Sequence, residues 1–343
     1  MRRLFLVLAT LVLAALATGA GAPRYRVDRH IKLGGEGFWD YITFDPATSR
    51  LFVSHGTHVQ VVDTHTDSLV GDIPDTPGVH GVALATEAGV GFTSNGRDSS
   101  VTVFDAKTLA VKTRIKLQQR NPDAIAYDAA SGRVFTFNGG SANTTAIDAK
   151  TLQISGTLAL GGKPEAAAPD GNGVIFVNNE DSSTIVAFDS KQLKQLHVWS
   201  LAPGESPSGL ALDRVHHRLF SGCDNQKLIV LDSQTGRRVA DLPIGDGVDG
   251  VAFDPGRQLV FASCGDGTLA VIHEDTPDKY TVVENTPTRK GGRTITLDAA
   301  SGTVYIPTAD FGPPPPPTPD RPHPRASIVP GTFNVMVVKP TKP

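Results

Sequence analysis

The chain has few of the features that would assign it to several common protein classes. Among its 343 residues are only 2 cysteines, 2 tryptophans and 2 methionines, and its formal net charge is −3. Nucleic-acid binding usually requires a basic excess, so this composition predicts no nucleic-acid partner. The longest apolar stretch, residues 4–17, is shorter than the roughly 20 residues of a membrane span. The sequence therefore predicts no membrane-spanning segment.

Short motifs of several enzyme classes are also missing. The chain contains no Gly-x-Ser-x-Gly elbow, no His-Glu-x-x-His, no Cys-x-x-Cys and no glycine-rich phosphate loop. These absences exclude the common serine-hydrolase, zinc-protease and nucleotide-binding signatures. Any functional site must therefore be formed by residues that are distant in the sequence.

Residues 1–22 have the pattern of an export signal. Arg2 and Arg3 precede the apolar stretch, and small residues between Ala17 and Ala22 offer cleavage points. We therefore expect a periplasmic or secreted protein after cleavage. Residues 23–343 are expected to form one domain and to behave as a monomer.

A repeat dominates the remaining chain. Every 41–43 residues a short apolar run ends at an anchor residue, and the anchors are Asp63, Asp105, Asp148, Asp189, Asp232 and His273. A period of about 40–45 residues built from short strands predicts a β-propeller with one four-stranded blade per repeat. Four of the anchors are followed three residues later by threonine, a spacing that indicates capped turns rather than catalytic groups.

A second pattern in phase with the first indicates seven blades. Seven runs resemble residues 50–53, Arg-Leu-Phe-Val, and each follows a turn. The chain ends before a fourth strand of the seventh blade, but residues 27–33 match residues 111–117 in apolar spacing. The N-terminal strand is therefore predicted to close the last blade, which removes the open sheet edges. A proline-rich loop at about 312–331 is predicted inside that blade. The expected fold is an all-β, seven-bladed propeller.

One motif resembles a known family. The segment Phe176-Val177-Asn178-Asn179, followed by the run that ends at Asp189, is similar to the repeat of the YVTN (YncE-like) β-propeller proteins. Residues 135–138 and 92–95 give similar matches, and the resemblance covers essentially the whole chain after residue 22. It implies an exported propeller with WD40-like repeats and, because most family members have no assigned reaction, no particular activity.

The candidate site lies at positions that are equivalent by repeat but differ in residue type. In each blade, the residue five positions before the turn that joins the first two strands starts the innermost strand. These seven residues should therefore surround one mouth of the central channel. They are Asp40, His80, Asp123, Glu165, Ser208, Asp249 and Arg293. Loops after the second strands should add a wider ring at the same mouth, formed by His55, Asn95, Asn138, Asn179, Cys223 and Cys264.

The two cysteines lie one repeat apart. Equivalent points on neighbouring blades are usually farther apart than the roughly 7 Å between Cα atoms that a disulfide allows. Free thiols are therefore predicted, with a disulfide as the alternative. His216 and His217 fall in a turn on the opposite face and are expected to be exposed.

Several chemistries are compatible with the inner ring, which has four carboxylates. Asp40, Glu165 and Asp249 could bind a divalent cation such as Ca²⁺, with asparagine carbonyls in support. In a second interpretation, Arg293 binds a substrate carboxylate and His80 acts as acid or base. In a third, the side chains only pair with one another and with water.

A further resemblance bears on the cation. Residues 35–40, Gly-Glu-Gly-Phe-Trp-Asp, loosely resemble the Glu-Gly-Pro strand of SMP-30/gluconolactonase propellers, with phenylalanine in place of proline. The resemblance implies Glu36 or Asp40 as a first metal ligand. We expect a non-enzymatic propeller that binds a small ligand, an ion or an envelope protein at the channel mouth. The alternative is a divalent-metal-dependent lactonase or esterase.

Overall fold

The computed structural model describes residues 22–35, 37–318 and 326–341. Within these ranges the protein is all-β, with seven four-stranded sheets around a central channel. A single 3₁₀ turn, Thr86–Ala88, interrupts the pattern. The prediction of a seven-bladed propeller is confirmed. In the described ranges, no helix combines the length and apolarity required to cross a membrane.

The strands of each blade run from the channel outward and are called A, B, C and D in that order. The first strand of the described residues is β1 (Tyr25–Lys32). Blade 1 then comprises β2 (Ile42–Asp45), β3 (Arg50–His55), β4 (His58–Asp63) and β5 (Ser68–Ile73). Blade 2 comprises β6 (Val79–Ala85), β7 (Val90–Asn95), β8 (Ser100–Asp105) and β9 (Val111–Lys116). Blade 3 comprises β10 (Pro122–Asp128), β11 (Arg133–Asn138), β12 (Asn143–Asp148) and β13 (Ile154–Ala159).

The next three blades follow the same order. Blade 4 comprises β14 (Pro164–Pro169), β15 (Val174–Asn179), β16 (Thr184–Asp189) and β17 (Lys194–Ser200). Blade 5 comprises β18 (Pro207–Asp213), β19 (Arg218–Cys223), β20 (Lys227–Asp232) and β21 (Arg238–Pro243). Blade 6 comprises β22 (Val248–Asp254), β23 (Leu259–Cys264), β24 (Thr268–Thr276) and β25 (Lys279–Pro287).

Blade 7 combines the two ends of the described chain. It contains β26 (Thr296–Asp298), β27 (Thr303–Thr308) and β28 (Asn334–Pro340), and β1 is its outermost strand. β1 pairs with β28 in antiparallel register from Tyr25↔Pro340 to Lys32↔Asn334. The predicted closure by the N-terminal strand is therefore confirmed.

Packing between neighbouring blades forms the core. B and C strands are buried on both faces, and aromatic pairs such as Phe52 with Phe104 bridge adjacent blades. The outer strand β9, by contrast, is largely exposed. Near the channel the A strands approach closely: a Cβ atom on Gly209 would lie 2.7 Å from the backbone nitrogen of Val251. Only glycine fits there because the neighbouring backbone cannot retreat.

The repeated anchor residues cap turns, as predicted. Oδ1 of Asp148 accepts hydrogen bonds from the backbone nitrogens of Lys150, at 3.0 Å, and Thr151, at 2.7 Å. The Thr151 hydroxyl donates a third, at 3.0 Å. The other aspartate anchors accept equivalent backbone bonds. These donors lower the pKa of Asp148, because each favours the ionised carboxylate.

Replacing one anchor should cost a modest amount of stability. We expect Asp148→Ala to lower the free energy of unfolding by about 1 kcal/mol, because exposed hydrogen bonds contribute little net energy. Urea unfolding would measure the change. Lys150→Ala is the matched control, since it changes the same turn but keeps the backbone donors. A loss as large in the control would contradict the capping role.

Part of the proline-rich loop is described, and its base is ordered by the backbone. Gly312 N donates to the Ser327 carbonyl at 2.9 Å, and Val329 N donates to the Asp310 carbonyl at 2.8 Å. Residues 313–317 belong to no strand, as expected for consecutive prolines, which lack the backbone N–H. The predicted export signal lies outside the described residues, apart from Ala22.

Candidate functional site

The seven inner-ring residues line one cavity at the mouth of the channel. Its volume is about 770 Å³, which is within the range of small-molecule sites. A smaller space of about 170 Å³ lies further along the channel, and Tyr41 borders both. Asp249 also lines both spaces, so these two residues lie where the mouth meets the channel.

Backbone irregularities explain why these side chains face the cavity. In blades 2 to 6 the ring residue is the second residue of its A strand, and the A–B register shifts just after the strand begins. Such β-bulges twist a strand and redirect its side chains. The repeated bulge therefore turns five members of the ring toward the mouth.

The cavity contains more acids than bases. Arg97, Lys163, Arg293 and His80 are its basic residues. Six carboxylates line it: Asp40, Asp123, Glu165, Glu180, Asp224 and Asp249. The six acids outnumber the four basic residues, so the basic side chains offset much, but not all, of the negative charge.

His80 lies between two of these carboxylates. Its Nδ1 is 2.6 Å from Oδ2 of Asp40 and 3.4 Å from Oδ1 of Asp123. Burial opposes the charged imidazole, but the hydrogen bond with Asp40 and the charge of Asp123 outweigh it and raise the pKa of His80 to about 9. At neutral pH the residue is therefore an imidazolium ion, which is a poor general base.

Lys163 lies between two other acids of the cavity. Its Nζ lies 2.9 Å from Oε1 of Glu165 and also contacts Glu180. Burial and the nearby Asp123 charge raise the pKa of Glu165 to about 8, despite the opposing effect of Lys163. Glu165 therefore retains a proton at neutral pH in much of the population.

Asp249 is the least satisfied acid of the cavity. Its Oδ2 lies 3.0 Å from a guanidinium nitrogen of Arg293, which is an ion-pair distance, but no hydrogen bond forms with proper geometry. Burial raises the pKa of Asp249 to about 7, with help from Asp40 and Asp123 and against Arg293. Ser208, the uncharged ring member, donates to the Val248 carbonyl at 2.6 Å.

The second ring does not face the cavity. Asn95 and Asn138 are completely buried inside their blades. The side-chain amide of Asn95 donates to Ser100 and Thr102, and Asn138 has equivalent partners in its own blade. Asn179 donates to the Leu160 carbonyl at 2.8 Å. The alternation of the B strand turns these amides inward, where they join strands instead of binding ligand.

The remaining members of that ring are also buried. His55 stacks on Phe333 with 4.4 Å between ring centroids, and burial lowers its pKa to about 4. Cys223 and Cys264 are free thiols, as predicted, and burial raises the pKa of each to about 12. These three side chains act as apolar packing groups.

The structure does not bring the predicted metal ligands Asp40, Glu165 and Asp249 into one close group. In the described part of the chain, the metal-compatible group at the mouth is Asp40, His80 and Asp123, whose candidate atoms lie within 4.8 Å of one another. Glu36 lies outside the described residues.

Four charged cavity residues were missed from the sequence: Arg97, Lys163, Glu180 and Asp224. Glu180 and Asp224 directly follow residues that were predicted for the second ring. Because successive side chains of a strand alternate between faces, a shift of one residue exchanges inside for outside. Alternation was therefore the signal that could have found these acids.

Comparison with known proteins identifies the fold. No protein-family model matches the chain, and no curated protein matches it significantly. A chain in the crystal structure of the mitotic checkpoint complex aligns with a TM-score of 0.76 and 11% identity, covering 100% of both chains. U3-55K aligns with a TM-score of 0.72 and 10% identity, covering 90% of this chain and 97% of U3-55K. These similarities to WD40-type propellers support the fold alone.

Proposed function

We propose that this protein is a non-enzymatic binding propeller. Its acidic cavity takes a small ligand that carries an amine or guanidinium cation. The observation that carries the proposal is the excess of carboxylates in the cavity, six against four basic residues. Oδ2 of Asp249 is the clearest case, because it lies 3.0 Å from Arg293 but makes no hydrogen bond. A cation placed beside this oxygen would stabilise its ionised form.

The raised pKa values support the same conclusion. Burial raises the pKa of Asp123. It also raises the pKa of Glu165 to about 8 and that of Asp249 to about 7. Lys163 and Arg293 already contact two of the acids and do not restore ordinary pKa values. A cationic guest supplies charge that the cavity itself lacks, and its binding should release protons.

Acid–base catalysis is less well supported by the same geometry. His80 is held as an imidazolium ion by Asp40 and Asp123, and Arg293 is already paired with Asp249. The lactonase alternative was predicted with a metal on Asp40, Glu165 and Asp249, and these three do not form one close group in the described part of the chain. We therefore favour ligand binding over hydrolysis.

Calorimetric titration with agmatine, which combines an amine and a guanidinium group, tests the proposal. Binding should tighten from pH 6 to pH 8 and should release protons, seen as a heat that differs between phosphate and HEPES buffers, which have different ionisation enthalpies. Succinate, an anion of similar length, should not bind. We expect Asp249→Asn to weaken agmatine binding about tenfold, as for a lost charge-assisted bond.

Glu87→Gln is the matched control, because Glu87 lies on the opposite face and contacts Tyr127. Its agmatine affinity should equal that of the unchanged protein. Equal weakening by both substitutions, or binding of succinate in place of agmatine, would contradict a cation-selective cavity.

We also propose that the protein belongs to the YVTN (YncE-like) propellers and acts outside the cytoplasm. The repeat motif and residues 1–22 support this. Expression of the full chain should yield a periplasmic or secreted protein whose N-terminus, by sequencing, begins near residue 23. Recovery of uncleaved protein from the cytoplasm would refute the export.

A further inference from the structure

A second cluster of ligand-type side chains lies on the face opposite the cavity. His216 Nδ1 is 2.6 Å from Oδ2 of Asp213 and 3.3 Å from Oε1 of Glu274. Asp213 ends β18 in blade 5, His216 lies in the following turn, and Glu274 belongs to β24 in blade 6. The cluster therefore spans the boundary between two blades.

The acids of this cluster are buried, and three of their four carboxylate oxygens have no hydrogen-bond partner, while Oδ1 of Asp213 accepts from Val215 N at 2.8 Å. Glu274 is fully buried, and neither of its carboxylate oxygens makes a hydrogen bond. Asp213 is 2% exposed, and its Oδ2 also has no partner. The contacts with His216 are short, yet their angles are not those of hydrogen bonds. Carboxylate oxygens that are buried together without hydrogen bonds are costly unless a cation compensates them.

The same boundary in another part of the ring shows the ordinary arrangement. Between blades 3 and 4, the Ser190 hydroxyl donates to Oδ2 of Asp128 at 2.6 Å. Ser190 follows the anchor Asp189, just as Glu274 follows the anchor His273. Blade 6 thus places a carboxylate where blade 4 places a hydroxyl donor.

Arg218 does not neutralise the cluster directly, because its guanidinium is committed elsewhere. It contacts Asp232 at 2.9 Å and Asp278 at 3.2 Å, and it donates to the Pro277 carbonyl at 2.7 Å. The His216 side chain is about one third exposed, at 30%. The cluster can therefore be reached from solvent through the imidazole.

We propose that Asp213, His216 and Glu274 form a binding site for a divalent transition metal, with Zn²⁺ as the preferred ion. One imidazole and two carboxylates suit this class better than Ca²⁺ or Mg²⁺, which favour all-oxygen sites. Tetrahedral Zn²⁺ separates its ligand atoms by about 3.3 Å. The Nδ1 to Oε1 distance already has this value, and the Nδ1 to Oδ2 distance must widen by a fraction of an ångström. The ion would join blade 5 to blade 6.

Cobalt(II) titration of the EDTA-stripped protein tests this site, because tetrahedral Co²⁺ has visible absorption bands and Zn²⁺ should displace it. Glu274→Ser is the informative variant, since it restores the hydroxyl–carboxylate contact of blades 3 and 4 and should fold. We expect its Co²⁺ affinity to fall at least about 100-fold, because loss of a direct ligand should exceed the effect of losing a group that only orients a ligand.

Two controls assign the bands to this cluster. His217→Asn changes the adjacent, exposed histidine, and asparagine tolerates its positive φ of 58°. Asp123→Asn disrupts the other three-residue group at the channel mouth. Both should keep the Co²⁺ bands. Unchanged bands in Glu274→Ser, bands abolished by Asp123→Asn, or no Co²⁺ binding by the unchanged protein would each overturn the proposal.

Discussion

Deleting residues 22–33, and with them β1, should leave a protein that no longer folds stably at 37 °C. β1 contributes Tyr25 and Ile31 to the core, at 4% and 2% exposure. Its removal exposes the edge of β28, which invites pairing with other chains. The ring would also lose the strand pairing that joins its N-terminal segment to blade 7. Circular dichroism would show unfolding at a lower temperature than for the full chain, and sedimentation would show aggregation.

A point substitution isolates the contribution of packing. Ile31→Asp introduces a charge at a buried position, and we expect a loss of at least about 4 kcal/mol, the upper range for single substitutions. Lys32→Asp, on the exposed side of the same strand, should change stability by less than about 0.5 kcal/mol. Equal effects of the two changes would show that β1 is not packed as described.

Strand addition offers a rescue of the deletion. A synthetic peptide of residues 22–33 can pair with the free edge of β28 in the register Tyr25↔Pro340 to Lys32↔Asn334. We expect the peptide to raise the melting temperature of the truncated protein, whereas the same peptide with Ile31→Asp should not. Failure of both peptides would indicate that closure requires covalent continuity.

Repeat spacing explains why the fold could be predicted from this sequence. Each anchor, such as Asp148, fixes a turn locally through its own backbone neighbours, so the blade register follows without any long-range information. The inner ring lies a constant five residues before the next turn. Its position therefore follows from the same register, and all seven residues line the cavity.

Side-chain pairing could not be predicted in the same way. Lys163 and Glu180 lie at the two ends of one hairpin of blade 4, but their contact depends on residue types that the other blades do not repeat. The contact of His216 with Asp213 and Glu274 crosses a blade boundary, so it has no fixed sequence spacing within one repeat. The prediction of the second ring was wrong for a different reason. Residues such as Asn179 lie at the predicted end of the strand, but their side chains point into the blade and not toward the cavity.

Replacing Glu165 by glutamine should stabilise the protein in alkaline solution and leave it nearly unchanged in acid. The pKa of Glu165 is about 8 in the folded protein against a model value of 4.5. When a group has a higher pKa in the folded than in the unfolded protein, its contribution to stability is complete at pH values below the unfolded-state pKa. That contribution is lost as the pH rises through the folded-state pKa. The unchanged protein therefore loses stability between about pH 4.5 and pH 8, and glutamine, which cannot ionise, avoids that loss.

Coupling of Glu165 to Lys163 and Asp123 makes the gain in unfolding free energy smaller than the full pKa difference would give. We expect Glu165→Gln to gain about 2 kcal/mol at pH 9 and close to zero at pH 5. Urea unfolding at both pH values would measure it. Glu180→Gln is the matched control, because Glu180 contacts the same Lys163 but is more exposed, at 32% against 13%, and its gain should be smaller. A gain of the same size at pH 5 would contradict titration of Glu165 as its cause. If Glu165→Gln also weakens agmatine binding while stabilising the fold, the acidic cavity is maintained at a cost in stability, as expected for a functional site.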